Sequence, residues 1–504
     1  MRFAPPTYAA APPPRGPDAA RVVIVGGGLV GLTAALDLAR HGIPVVLLDD
    51  DDTVSTGSRA ICFAKRTLEI FGRLGLGQRF LERGITWNQG RVFHGEREAY
   101  SFNLLPEEGH EYPAFVNLQQ YYAEAWLVEA CVATGLVELR WRHAVKGVEN
   151  LPDGARLTVE TPRGDYALHA DWLIAADGAR SFIRRALGLS SEGQVFRDRF
   201  LIADVTMAGE FPTERWFWFD PPFHPGQSVL LHKQPNDVWR IDFQLGWDAD
   251  PEAERDPERV RGRVAAMLGP DTPFEIEWIS LYTFRCRRME RFRHGRTLFV
   301  GDAAHQVSPF GARGGNGGVQ DADNLCWKLT AVLQGRAPEA LLDTYDAERI
   351  PAADENILNS TRSTDFITPK SDAARAWRDA VLELAANHAF ARPVVNSGRL
   401  SRPYEGHGRP APDAPILRDG RPDWLLRHLG GDFCVIARDA APATALRAIT
   451  LGRDIDDHSG LAAARLGLSP GEAVLLRPDQ HITARFAACD APAIAAAHRA
   501  ALCA

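Results

Sequence analysis

Gly26-Gly27-Gly28-Leu29-Val30-Gly31 satisfies G-x-G-x-x-G, directly after the apolar run Val22 to Val25 and before the helical pattern Leu32 to Arg40. A loop of this kind binds the pyrophosphate of a dinucleotide. Gly26 permits the tight turn, Gly28 lets phosphate approach the backbone, and Gly31 allows the helix to pack closely on the strand. Leu29 and Val30 complete the loop and are assigned with the glycines to cofactor binding. Asp49 closes the next apolar run about 20 residues on, where a carboxylate accepts hydrogen bonds from a ribose diol. Asp50, Asp51 and Asp52 read as a solvated acidic turn. This motif alone leaves FAD and NAD both open.

Two further acids end short apolar runs. Trp172 to Ala176 leads into Asp177-Gly178, within Asp177-Gly178-Ala179-Arg180-Ser181-Phe182-Ile183-Arg184, and Thr297 to Val300 leads into Gly301-Asp302. After Gly301-Asp302-Ala303-Ala304-His305 come Pro309 and Gly311-Ala312-Arg313-Gly314-Gly315-Asn316. A third constellation lies on the alternating segment Val238 to Leu245. Period-two geometry puts Arg240, Asp242 and Gln244 on one face and Trp239, Ile241 and Phe243 on the other, with His232 on the preceding strand. Arg240, Asp242 and His232 are then candidates for orienting an aromatic ring and taking its proton. In the alternative, the polar face meets solvent and the apolar trio lines the pocket; alternation leaves both open. Arg240 or Arg313 suits a substrate carboxylate, and Trp216, Trp218 and Trp239 are pocket walls or sheet core.

The elements that position these residues follow from the wider pattern. Residues 1–20, rich in Ala and Pro, read as a flexible leader, and 21–194 as the first part of a dinucleotide-binding domain opened by the βαβ unit 21–50. The aromatic-rich, alternating stretch 195–290 reads as an inserted, mostly antiparallel sheet that roofs the substrate pocket. Residues 291–400 return to the first domain through long helices, and 401–504 form a Pro-rich linker near 400–415 followed by a small α/β unit. The chain of 504 residues is 45% hydrophobic with a formal charge of -8, which excludes a basic nucleic-acid binder. No continuous apolar segment suits a membrane span. Seven scattered cysteines without metal-ligand spacing fit a reducing, cytoplasmic setting.

Taken in order, the three motifs resemble those of the class A FAD-dependent aromatic hydroxylases, the family of p-hydroxybenzoate, phenol and 3-(3-hydroxyphenyl)propionate hydroxylases. The resemblance covers roughly residues 21–400 and implies a Rossmann-like α/β FAD-binding domain. It implies hydroxylation of a phenolic substrate through a flavin hydroperoxide, with O2 and NADH or NADPH as co-substrates. By resemblance, Asp302 binds the FAD ribityl chain, and the amides around Gly314, Gly315 and Asn316, with Pro309 and Gly311 before them, face the isoalloxazine. Asp177 and Gly178 approach the pyrophosphate and the nicotinamide donor, Arg59 contacts phosphate, and Gln120, four before Glu124, contacts the flavin. The C-terminal unit resembles the thioredoxin-like appendix of the phenol-hydroxylase branch; without Cys-x-x-Cys it points to packing or a homodimer interface. A reductase without oxygen chemistry and a slow redox sensor are the alternative readings.

Overall fold

The computed structural model describes residues 4–14, 16, 18–57, 59–207, 211–269, 271–395 and 408–504. Strand β1 (Asp18–Val25), helix α1 (Leu29–Arg40) and strand β2 (Val45–Asp49) form the first βαβ unit. Helix α2 (Gln120–Thr134) follows, then β3 (Val137–Trp141) and β4 (Tyr166–Ala175). The β1 residues Val22, Val23 and Ile24 are fully buried, as expected for a parallel strand covered on both faces. β1 pairs in parallel with β2 and β4, and β2 with β3.

The inserted sheet is built from β5 (Glu192–Met207), β6 (Arg215–Phe219), β7 (Ser228–Lys233), β8 (Val238–Leu245) and β9 (Phe274–Arg288). It extends beyond the 195–290 segment expected from sequence, because the hairpin Gln89–His94 and Arg97–Asn103 joins its edge by parallel pairing of Gly90 to His94 with β6. The chain then returns through β10 (Thr297–Phe299), which pairs in parallel with β4. Three helices follow: α3 (Gly314–Leu333), α4 (Asp343–Ile367) and α5 (Asp372–Asn387).

Register brings the motif loops together. Val25 pairs with Ala175, and Ala175 with Phe299, so Gly26, Asp177 and Gly301 leave the same carboxyl edge of the sheet, where α/β folds bind ligands.

The two faces of the inserted sheet differ. Trp239, Ile241 and Phe243 pack with Leu201, Ala203 and Val205 and with Val260 and Val264 of the helix Pro257–Leu268. That face is core, capped by its own helix. The opposite face, bearing Arg240 and Asp242, is turned toward the FAD-binding part: an Arg240 NH donates to the Arg59 carbonyl at 3.0 Å.

In the C-terminal part, five strands form a mixed sheet. Cys434–Arg438 and Arg447–Leu451 run parallel, and Ala473–Leu476 and His481–Phe486 run antiparallel. Trp327 of α3 meets Phe433 edge-on at 5.7 Å. Arg477 clamps Glu348 of α4 at 2.9 Å, and the buried Lys328 joins Glu348 at 3.1 Å. Burial pushes the Lys328 ammonium down to about 8 despite that carboxylate. The linker expected near 400–415, with Pro403, falls partly on 396–407, outside the described residues. Part of the stretch expected as a flexible leader is held by contacts: Tyr8 stacks on Trp141 at 4.5 Å, and the His143 ring meets the Ala11 carbonyl at 3.0 Å. Among the described residues no helix is long and apolar enough to cross a membrane.

Candidate active site

Two helix N-termini converge on the carboxyl edge of the parallel sheet. A Cβ on Gly318 of α3 would lie 2.5 Å from Val30 Cγ2, so this glycine is what lets α3 approach α1. In the first fingerprint, a Cβ on Gly26 would stand 2.4 Å from the Ala176 carbonyl oxygen, and one on Gly31 would stand 1.9 Å from that of Gly26. Those two glycines are demanded by the protein's own packing. Gly28 is different, since the nearest atom to its added Cβ is Glu124 Oε1 at 3.8 Å. The space is open, which fits a phosphate drawn against the backbone. No described residue accepts from the N–H groups of Val30 and Gly31 or of Gly314, Gly315 and Asn316. Such orphan donors at helix N-termini favour anionic groups.

The remaining cofactor candidates divide into open groups and struts. Asp302 sits on the turn Gly301–Ala303, and no described residue hydrogen-bonds its carboxylate. Burial raises its pKa against the pull of His305, Arg59 and Arg184. The turn is held from beneath by Asp321, which accepts from Gly301 N at 3.0 Å, His305 Nε2 at 2.6 Å and Arg349 Nε at 2.7 Å. Asp49 accepts from the Gly27 and Asp51 amides, and burial pushes it up to about 6.

Asp177 is a strut. It accepts from Ile183 N at 3.0 Å, while Ser181 Oγ accepts from Arg184 N at 3.0 Å. Arg184 then donates to the carbonyls of Ala179 and Ala303, tying this loop to the Asp302 turn. One oxygen of Asp177 thus braces the loop that carries Gly178, which has φ +72, while Oδ1 is buried without a partner. Gln120 is also engaged internally. It accepts from Ala60 N at 2.9 Å and donates to Glu124 Oε1 at 2.7 Å, while Glu124 accepts from Leu29 N at 3.1 Å and Ser55 N at 2.8 Å. Both α2 side chains thus hold the 55–60 loop against the start of α1. The Arg59 side chain is exposed. The exposed Pro309 opens a turn closed by Ala312 N at 3.0 Å, with Gly311 at φ +87, and this turn delivers the chain to α3. The Asn316 side chain is spent on Ala64 N at 2.9 Å and the Cys62 carbonyl at 2.8 Å, leaving its backbone amide for a ligand.

On the inserted sheet, cross-strand register aligns a charged row: His232 opposite Arg240, Arg240 opposite Asp204, and Asp204 opposite Trp278. Arg240 grips Asp204 through two hydrogen bonds of 2.8 and 3.1 Å. Its guanidinium is thus engaged within the protein, by Asp204 in a buried ion pair and by the Arg59 carbonyl. His232 is buried 3.9 Å from Asp242, and burial, with Arg215 and Arg240, holds its pKa well below the usual histidine value. Asp242 remains. Its side chain is 18% exposed, Oδ1 is buried without a partner, and burial pushes the carboxyl up to about 6 although Arg240 and Arg215 pull it down. A carboxylate poised there is suited to proton transfer near neutrality.

Glu124, Asp204, Arg215 and Asp321 went unassigned in the sequence. Glu124 had a legible signal in its i,i+4 spacing from Gln120. Arg215 shares strand parity with Phe217 and Phe219. Asp204 depends on strand register and Asp321 on tertiary packing.

The glycine cradle, the two orphan N-termini and the open Asp302 fit a flavin dinucleotide and define a flavin-dependent oxidoreductase. The family model described as "FAD binding domain" matches residues 19–360, and the chain belongs to that family. It is 35% identical over 520 residues to 6-methylpretetramide 4-monooxygenase of Streptomyces rimosus, covering 93% of this chain and 91% of that one. It is 29% identical to 3-(3-hydroxy-phenyl)propionate/3-hydroxycinnamic acid hydroxylase of Mycolicibacterium smegmatis, over 79% of this chain and 72% of the relative. The fold matches the flavin-dependent monooxygenase PieE, solved with FAD and substrate, at a TM-score of 0.82, with 23% identity and coverage of 97% and 100%. The chain is an FAD-dependent aromatic hydroxylase that uses NAD(P)H and O2.

Proposed function

We propose that a phenolic ring binds between the inner face of the inserted sheet and the N-termini of α1 and α3, with its hydroxyl directed at Asp242. The observation that carries this reading is the unpartnered Asp242 Oδ1 on a carboxyl pushed up to about 6. Asp242 takes the phenolic proton, which raises the electron density of the ring before oxygen transfer. When bound, FAD would supply the redox chemistry, hydride uptake from NAD(P)H and activation of O2, one oxygen atom going to the ring and the other to water. The Gly26 to Gly31 loop, with the free amides of Val30 and Gly31 and the open backbone at Gly28, would cradle its pyrophosphate, Asp49 its ribose, Asp302 its ribityl chain, and the Gly314 to Asn316 amides its ring. The Arg240–Asp204 pair fixes the strand that carries Asp242, and His232 stays neutral beside it. Ile202, opposite Asp242 in the register, and Leu230, on its other side, supply apolar wall.

Phenols of the kind named for the hydroxyphenylpropionate hydroxylase are the substrate class this site suits. The mixed C-terminal sheet and its contacts with Trp327 and Glu348 support the reading of a thioredoxin-like unit that packs on α3 and α4. The test is substrate-stimulated NAD(P)H oxidation and O2 uptake over a panel of phenols by the wild type and Asp242→Asn. Stimulation by phenols that largely disappears in the variant supports the assignment. Equal stimulation in both removes Asp242 from the mechanism.

A further inference from the structure

Arg215 opens β6, and the register that puts Trp216 opposite Leu231 carries it to the side of His232, at the end of the charged row. It is only 7% exposed. The other arginine of the row, Arg240, is matched by Asp204, but the Arg215 side chain makes no hydrogen bond or ion pair with any described residue. The nearby groups that answer it electrostatically are Cys62 and Asp242. Burial pushes the Cys62 thiol up to about 11, so it carries no charge at neutral pH, and Asp242 is the carboxylate assigned to the substrate proton. Among the described residues Asp242 is thus the charged group that answers Arg215, with no hydrogen bond between them, and it loses that charge on taking the substrate proton; a buried guanidinium left in that state is strongly unfavourable, which points to an anionic group that arrives with the ligand.

We propose that Arg215 holds an anionic oxygen of the bound aromatic substrate. The inference rests on the reading of this cleft as the phenol site. Two sources supply the same chemistry. In one, the phenolic O–H bond breaks, the proton bonds to Asp242 and the electron pair stays on a phenolate oxygen paired with Arg215. In the other, the substrate enters with an acidic substituent already ionised. The groups that face the position are Cys62, His232, Arg240 and Asp242, and of these only Asp242 changes charge near neutral pH.

The test uses FAD-loaded enzyme and two probes, 4-nitrophenol, whose colour reports its ionisation, and benzoate, an anion with no hydroxyl. Binding is followed by the flavin absorbance change in wild type, Arg215→Met and Arg215→Lys. We expect bound 4-nitrophenol to ionise at least one pH unit below the free compound in wild type. In Arg215→Met that displacement should vanish and affinity should fall about tenfold, one pKa unit being a factor of ten in the equilibrium, with partial rescue in Arg215→Lys. A parallel loss of benzoate affinity assigns the charge to a substituent; an effect on 4-nitrophenol alone assigns it to the phenolate. FAD content and thermal midpoint report whether each variant is folded, and where Arg215→Met is not, Arg215→Gln is held to the same criteria. Failure of both anions to bind wild type, or unchanged affinity and ionisation in a folded variant, overturns the proposal. Hydroxylation of a neutral phenol alongside that result leaves the reading of the cleft standing; hydroxylation of no phenol removes the reading itself.

Discussion

Replacing Asp242 by Asn separates function from stability at one position. The carboxyl titrates at about 6 in the folded protein, against an ordinary 3.8, chiefly because it is buried. Between these values the unfolded chain has released its proton and the folded one has not, so stability falls as pH rises from about 4 to about 6 and stays lower above. At about 1.4 kcal/mol per pKa unit, ionised Asp242 costs the folded state on the order of 3 kcal/mol at pH 7. Asp242→Asn therefore melts a few degrees higher than wild type at pH 7, and the gap closes by about pH 4. Activity moves the other way. A lost general base costs roughly 10²- to 10⁴-fold, and the rise of kcat/KM with pH through about 6 disappears. Because burial keeps His232 neutral, His232→Asn retains that rising limb. The assays are melts from pH 4 to 8 and NAD(P)H-coupled rates over the same range. An Asp242→Asn enzyme that keeps the limb near pH 6 and stays within threefold of wild type would falsify the assignment.

Other perturbations read other parts of the account. Arg240→Met strands Asp204 in a buried site and should destabilise by about 3–5 kcal/mol, measured by denaturant unfolding; a loss under 1 kcal/mol contradicts the strut. Gly28→Ala meets no protein atom closer than 3.8 Å, so it should fold normally yet purify with sharply reduced FAD; full flavin content would mean that the cradle lies elsewhere. Asp302→Ala, whose carboxylate has no described protein partner, should likewise lose FAD while keeping its circular dichroism, and a fully yellow variant rules out the ribityl contact.

Local sequence carried much of the fold. The βαβ unit, the Asp177 and Gly301 loops and the alternation of β8 are short-range patterns, and each is where spacing placed it. What stayed hidden depends on partners distant in sequence. The hairpin Gln89–His94 and Arg97–Asn103 joins the inserted sheet through a parallel edge that no local signal announces. Alternation gave two faces for β8 and could not choose between them; the helix Pro257–Leu268, covering Trp239, Ile241 and Phe243, makes the choice. The pairing of Arg240 with Asp204 was hidden because its counter-charge lies on another strand. Gln120 and Asn316 stand where the motifs put them, but their side chains are occupied by Ala60, Glu124, Cys62 and Ala64.

The most direct test of oxygen transfer is product mass after turnover of the FAD-loaded enzyme under ¹⁸O₂ with NAD(P)H and a stimulating phenol. The account predicts a product with one oxygen atom more than the substrate, that atom labelled, with the label absent when the heavy isotope is supplied in water instead. Flavin reduction and NAD(P)H consumption with no labelled oxygen in any aromatic product would contradict it.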